Sequence, residues 1–130
     1  MTRLERLGAL LERPLLVTTP SNVIYLTGFR SSNCALLVEP GGGTTLYTDF
    51  RYAEAAAAVP GVTFEPTKRD VVGALAELLS GREIEVETTS LTVARHDMLT
   101  AGGVSMVGGG GHVERLRAVK DAGELDAIRN

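Results

Sequence analysis

Two apolar runs joined by a proline-glycine turn set the strongest limit on how this chain can fold. The runs are Ala35–Glu39 and Thr45–Thr48, and the turn between them reads Pro40-Gly41-Gly42-Gly43. Short apolar runs separated by a few glycine-rich residues predict an antiparallel hairpin with a longer loop. Elsewhere strand patterns alternate with helical patterns, which is typical of parallel sheets. A hairpin inside such a chain predicts a mixed sheet.

The other elements follow from apolar spacing and helix caps. Thr2 followed by Glu5 is a capping-box pattern and predicts a first helix over residues 3–12. Gly28 is placed to end a helical turn that Ser21 or Asn22 caps. Further helices are predicted over 49–59 with Asp49 as cap, from Thr67 or Asp70 to Gly81 with Val71, Leu75, Leu78 and Leu79 on one face, over 90–100 with Ser90 as cap, and over 112–120; further strands are predicted at 15–17, 62–65, 83–87 and 104–107.

The 130 residues are enough to close one hydrophobic core, and we predict one domain over residues 1–111. Residues 112–130 are predicted to be a linker helix and the start of a further domain. Asp121 followed by Glu124 is a second helix-start signal, and no glycine ends that helix before Asn130. We therefore expect the native chain to continue.

The composition argues against nucleic acid and membrane as partners. The net charge of −3 gives no basic face for nucleic acid, and no apolar run approaches the roughly 20 residues that span a bilayer. The charged N-terminal residues are not a signal peptide, and one cysteine excludes an intrachain disulfide. We expect a cytoplasmic protein that binds neither nucleic acid nor membrane.

Catalytic and metal-binding patterns are weak, and the residues predict neither a catalytic nor a metal site. His96 and His112 are interpreted as solvated helix residues, and Cys34 as a small buried hydrophobe. Gly108–Gly111 lacks the spacing of a phosphate-binding loop and is interpreted as a flexible connector. Acidic residues alternate along one predicted strand, at Glu83, Glu85 and Glu87. We interpret them as an exposed face that protects the strand against pairing at its edge.

Two polar groups remain as candidates. Arg30-Ser31-Ser32-Asn33 lies between Gly28-Phe29 and an apolar strand, and is either a plain surface connection or a recognition loop. Asp49-Phe50-Arg51-Tyr52 follows the hairpin. Asp49 suits a helix cap and Arg51 can pair with it, so a structural role is favoured there.

These motifs carry a resemblance. Asn22-Val23-Ile24-Tyr25-Leu26-Thr27-Gly28-Phe29, then Ala35–Val38 and Thr48-Asp49-Phe50-Arg51-Tyr52, resemble the N-terminal domain of Xaa-Pro peptidases, the aminopeptidase P and prolidase members of the creatinase superfamily. The stretch from Val113 to Leu125 is similar to the linker that leads into the catalytic domain of that family. The resemblance covers the whole chain.

The resemblance implies a three-layer α/β/α fold with a mixed sheet of about six strands and a ribonuclease H-like motif. It also implies a following catalytic domain, in which two divalent metal ions (Mn, Co or Zn) activate a hydroxide that attacks the bond before proline. None of those metal ligands can be assigned here. The parent enzyme is therefore expected to be an Xaa-Pro metallopeptidase, and these 130 residues to be inactive by themselves.

The resemblance further implies a homodimer in which this domain contacts its own catalytic domain and a second subunit. The loop of Arg30, Ser31, Ser32 and Asn33 matches the family loop that approaches the partner's active site and restricts substrate length. The family implies mainly structural roles for Tyr25, Gly28, Phe29, Asp49, Arg51 and Tyr52. The alternatives are the matching domain of a creatinase-type amidinohydrolase, or a stand-alone interaction module.

Overall fold

The computed structural model describes residues 2–108 and 111–118. Within these residues the helices are α1 (Arg3–Leu10), α2 (Pro20–Thr27), α3 (Ala53–Ala57), α4 (Val71–Leu78), α5 (Val93–Ala101) and α6 (112–118). The strands are β1 (Leu15–Val17), β2 (Cys34–Val38), β3 (Thr44–Asp49), β4 (Thr63–Thr67), β5 (Glu83–Val86) and β6 (Ser105–Gly108). A short 3-10 turn, Phe50–Tyr52, precedes α3. The predicted helix from Asp121 lies outside the described residues, as do two of the four connector glycines.

The six strands form one sheet in the order β4-β3-β2-β1-β5-β6. The hairpin strand β2 is antiparallel to both neighbours, with Leu36 opposite Leu46 in β3 and Leu37 opposite Leu16 in β1. The other three neighbouring pairs are parallel. The predicted mixed sheet is therefore confirmed, and β2 is the strand that makes it mixed.

Helices cover both faces of the sheet, as the three-layer prediction requires. Alternate residues of β1 enter different cores: Leu15 and Val17 pack under α1, α2, α3 and Val113 of α6, whereas Leu16 packs under α4 and α5. Burying each such side chain stabilises the fold by about 1.5–3 kcal/mol. Of the helices in the described part of the chain, none is long and apolar enough to cross a bilayer.

Local signals explain where several helices begin and end. The Oγ1 of Thr2 accepts a hydrogen bond from the Glu5 N–H, and Asp70 caps α4 in the same way. Gly28 ends α2 with φ of +77°, a left-handed conformation that favours glycine. However, α2 begins at Pro20 and is longer than predicted. Proline suits the first helical turn because its missing N–H has no partner to lose there.

Other expected boundaries shifted. The first helix ends at Leu10, and Asp49 caps a 3-10 turn before α3 instead of one long helix. The cap of α5 is Thr92 and not Ser90, whose hydroxyl hydrogen-bonds the Thr18 hydroxyl. Leu78, expected on the apolar face of α4, is exposed. Strands β4 and β6 begin one residue later than predicted, and they end two residues and one residue later, respectively.

The interpretation of Glu83, Glu85 and Glu87 as an exposed, edge-protecting face was wrong. Strand β5 lies inside the sheet, between β1 and β6. Of the three acids only Glu83 is exposed, whereas Glu85 and Glu87 are buried. Alternation indicates which side of a strand is polar, but it does not reveal which distant element covers that side.

Candidate functional site

Five of the six strands run in one direction, so their carboxyl ends meet at one edge of the sheet, where the antiparallel β2 begins. This carboxyl edge is where open α/β sheets usually bind ligands. It carries Asn33 before β2, Asp49 at the end of β3 and Glu87 after β5. The two polar groups proposed from the sequence are therefore brought together at one edge.

Asp49 lies at the centre of the first cluster. Its Oδ1 accepts hydrogen bonds from the backbone N–H and Nε of Arg51, both at 2.9 Å, and its Oδ2 accepts one from Arg51 Nη2 at 2.9 Å. This two-pronged pairing matches the planar guanidinium to the carboxylate. The Asp49 side chain is 3% exposed, whereas that of Arg51 is 53% exposed. The pair therefore fixes the start of the 3-10 turn and leaves part of the guanidinium in solvent.

Hydrogen bonding controls the ionisation of this pair. The bonds from Arg51 hold the pKa of Asp49 far below its usual range; burial opposes this shift, and a bond from Asn33 adds to it. The same pairing with Asp49 raises the pKa of Arg51. Asp49 is therefore a fixed carboxylate at neutral pH and is not suited to act as a general base.

Asn33 joins the predicted recognition loop to this cluster. Its Nδ2 donates to Asp49 Oδ2 at 2.7 Å and to the Arg69 carbonyl at 2.6 Å. Its backbone N–H donates to the Oγ of Ser31, and its carbonyl accepts from the Thr48 hydroxyl. One end of the loop is thus held in place by the neighbouring strand and by the loop before α4.

Two residues of the loop are open to solvent. Arg30 and Ser32 are exposed, and Arg30 forms no ion pair with any residue that the structure describes. Three more side chains share this edge: Phe50, which is 73% exposed, and the exposed Lys68 and Arg69. The edge therefore offers several cationic groups and one aromatic ring to a partner.

Three of the family-motif residues, Phe29, Tyr52 and Tyr25, make contacts through their aromatic rings. Phe29 is buried, and its ring meets Tyr52 edge to face at 6.2 Å between centroids. Tyr25 lies one turn before Gly28 in α2, and the Arg3 guanidinium covers its ring at 4.1 Å. Arg51 lies 5.5 Å from the Tyr52 ring centre. These contacts link Tyr52 to both ends of the loop.

Sequence reasoning missed a second polar cluster, built around Asn22. This residue is 1% exposed, and its Nδ2 donates to Glu87 Oε2 at 2.6 Å and to Glu114 Oε1 at 2.9 Å. Its Oδ1 accepts from Arg117 Nη1 at 3.1 Å. The signal available in the sequence was an asparagine inside an otherwise apolar helical turn, which requires partners when buried.

Glu87 extends the second cluster to the start of α2. Its Oε1 accepts the backbone N–H groups of Thr18 and Thr19 at 2.8 and 2.9 Å. These donors lie between β1 and α2, so a carboxylate there also faces the positive end of the helix dipole. Three hydrogen bonds offset the cost of burying this charge.

The expectation that His112 is a solvated helix residue was wrong. Its Nε2 lies 2.8 Å from Glu85 Oε2, and its side chain is mostly buried. Glu85 Oε1 is also 3.4 Å from Arg13, which in turn pairs with Glu83. Helix α6 thus covers the acidic side of β5. A cavity of about 200 Å³ remains between them, lined by Leu15, Glu87, Thr88, Thr89, Gly111, His112, Val113 and Glu114.

Two further candidates from the sequence are Cys34, which is half-buried and not fully buried as expected, and His96. Burial raises the pKa of Cys34 to about 11, so its thiol is a poor nucleophile at neutral pH. His96 is exposed on α5, as predicted. Among residues 2–108 and 111–118, no three His, Cys, Asp or Glu side chains are grouped as a metal site requires.

Known proteins are similar to this chain in fold and in sequence. The profile of the creatinase/prolidase N-terminal domain matches residues 3–119. The N-terminal domain of the cytoplasmic peptidase PepQ from Mycobacterium tuberculosis is 31% identical, with a TM-score of 0.75 over 88% of this chain and 97% of that one. An Xaa-Pro aminopeptidase from Streptococcus thermophilus is 26% identical, with a TM-score of 0.74 over 88% and 95%.

An uncharacterized peptidase of Staphylococcus haemolyticus is 32% identical over 126 residues, covering 87% of this chain and 34% of the relative. The chain thus spans about a third of the length of that relative. Family profile, identity and fold agree over most of the chain. The chain therefore belongs to the creatinase/prolidase N-terminal domain family, which includes the N-terminal domains of Xaa-Pro peptidases.

Proposed function

We propose that the chain is the non-catalytic N-terminal domain of a cytoplasmic Xaa-Pro aminopeptidase or dipeptidase. In this proposal a separate catalytic domain supplies the two divalent metal ions and cleaves the bond before proline. The similarity to the PepQ domain supports this, because at 31% identity it extends over 97% of that domain. The residues described here would therefore bind and orient partners, and they would leave the bond-breaking step to the other domain.

The observation that carries the proposed role is the contrast within the Arg30–Asn33 loop. Asn33 is fixed by Asp49 and the Arg69 carbonyl, while Arg30 and Ser32 remain exposed. A loop that is fixed at one end loses less conformational entropy when its exposed residues bind a partner. We propose that in a homodimer this loop lies at the partner's active site and limits the length of the peptide substrate.

The test of the loop uses the dimeric full-length enzyme. Arg30→Ala is expected to change kcat/KM for longer Xaa-Pro peptides relative to dipeptides by roughly tenfold, the effect of one charged contact. Arg95→Ala is the matched control, because Arg95 is an exposed arginine on α5 and is not part of the loop. Equal kcat/KM ratios in the wild type and both variants would contradict the role of the loop.

A second test addresses the dimer. Phe50 is a largely exposed aromatic at the carboxyl edge, and such residues often carry binding energy in interfaces. Phe50→Ala is expected to raise the dimer dissociation constant about tenfold, measured by analytical ultracentrifugation. Leu78→Ala removes another exposed apolar side chain, from α4, and is expected to leave the dimer dissociation constant unchanged.

The nature of the parent enzyme is tested by the coding sequence after codon 130. A set of two Asp, one His and two Glu over the following catalytic domain would support a dimetal peptidase. A catalytic-type domain without that set would instead indicate a creatinase-type amidinohydrolase. A stop codon would indicate an interaction module.

A further inference from the structure

We propose that Asn22 is a positioning residue that fixes how helix α6 lies against α2, and so fixes the orientation of residues 112–118 on the domain. This inference concerns the second polar cluster and does not depend on the role of the Arg30–Asn33 loop. Its first support is that the Asn22 amide uses both N–H groups and its oxygen in hydrogen bonds to side chains. An amide with both N–H groups and its oxygen engaged favours one arrangement of its partners.

Two of the three partners belong to α6. Glu114 and Arg117 are three residues apart, so they lie on the same side of the helix and contact Asn22 together. One carboxylate accepts from the amide nitrogen and one guanidinium donates to the amide oxygen. Rotating α6 by one residue would separate both groups from Asn22. Polar contacts of this kind define a register, a role in which buried polar residues are well attested.

Apolar contacts hold the same helix without defining its register so sharply. Val113 is fully enclosed in the core between the sheet and α2, and Leu116 packs beside it. Arg117 also lies 5.6 Å from the centre of the Tyr25 ring, one turn along α2 from Asn22. Helix α6 therefore contacts α2 through both polar and apolar groups, while His112 pairs with Glu85 of β5.

The third partner connects this contact to the sheet. Glu87 accepts from Asn22 and from the backbone of Thr18 and Thr19, so α6, α2 and the end of β5 meet at one amide. The chemistry requires an amide at position 22. Aspartate would place a third carboxylate beside Glu87 and Glu114, and leucine would leave buried polar atoms without partners.

The experiment is amide hydrogen exchange, followed by NMR, on the 130-residue chain. Asn22→Ala is expected to speed exchange of the residue 115–118 amides by roughly tenfold or more relative to the β2 amides, which report opening of the sheet. Thr92→Ala is the matched control, because it removes the capping hydrogen bond to the Arg95 N–H of α5, and not one to α6 or β2. It is expected to leave the ratio of α6 to β2 exchange unchanged.

A second variant approaches the same contact from the other side. Glu114→Ala combined with Arg117→Ala removes both α6 partners of Asn22 without altering α2 or β5, and is expected to reproduce the selective acceleration. This double variant also tests the proposal if Asn22→Ala fails to fold. Unchanged α6 exchange, or equal acceleration of the α6 and β2 amides, in the variant that folds would overturn the assignment of Asn22 as a positioning residue.

Discussion

The side-chain amide of Asn33 donates a hydrogen bond of 2.7 Å to Oδ2 of Asp49, joining two motifs that are sixteen residues apart in the sequence. The bond spans the start of β2 and the end of β3, where Cys34 is paired with Thr48. It ties the loop to the Arg51 pair. The loop therefore contains a hydrogen-bonded residue, Asn33, and an exposed residue, Arg30, and we expect their substitutions to have different consequences.

Asn33→Ala is expected to lower the free energy of unfolding by about 1–2 kcal/mol, because two hydrogen bonds from its amide are lost. Arg30→Ala, at an exposed position without an ion pair among the described residues, is expected to change it by less than about 0.5 kcal/mol. Urea unfolding of the two variants measures both. Equal destabilisation by the two substitutions would contradict this division of the loop.

Glu87→Ala is expected to be more destabilising, by about 2–4 kcal/mol. It removes the acceptor for Thr18, Thr19 and Asn22, and leaves those donors poorly satisfied near the core. Glu83→Ala is the matched control in the same sheet. Glu83 is exposed and pairs only at the surface with Arg13, so its loss is expected to cost about 0.5 kcal/mol or less. Comparable costs in urea unfolding would refute the structural role of Glu87.

The contrast between these two acids shows what the sequence can predict. The hairpin was predictable because its strands are adjacent and its turn has a distinctive composition. The caps at Thr2, Asp49 and Asp70 were predictable because a cap and its N–H donor lie within a few residues. Such local signals predict where single helices begin, and they predict the hairpin that makes the sheet mixed.

The second cluster was not predictable in the same way. Asn22 meets Glu87 across 65 residues and Arg117 across 95, and Glu85 meets His112 across 27. No local pattern states which helix will cover the acidic side of β5, because that depends on how α6 packs after the fold forms. An asparagine in an apolar helix indicates that partners are needed but not which residues provide them.

Asp49 makes the stability of the domain depend on pH. Its pKa in the folded chain lies below the ordinary value of about 3.8. The unfolded state therefore binds the proton first as the pH falls, and stability is lost from about pH 4 downward and retained above it. Urea unfolding between pH 2 and 6 is expected to show a shallower pH dependence in Asp49→Asn than in the wild type.

Arg51→Ala provides the complementary measurement, because its hydrogen bonds are the main cause of the lowered Asp49 pKa. This variant keeps the carboxylate and is expected to lose part of the same pH dependence. If both variants retain the full wild-type slope below pH 4, another group is responsible for the acid sensitivity.

Cys34 offers a test of local burial that requires no substitution. Its pKa is raised from 9.0 to about 11 because burial disfavours the thiolate, so at pH 8 the folded chain holds about one hundredth of the thiolate present in the unfolded chain. Alkylation by iodoacetamide at pH 8 is therefore expected to be about a hundredfold slower in buffer than in denaturing urea, with free cysteine as the reference for the effect of urea on the reagent. Similar rates in the two conditions would mean that the start of β2 opens readily. In that case the Asn33–Asp49 bond does not hold that end of the strand closed.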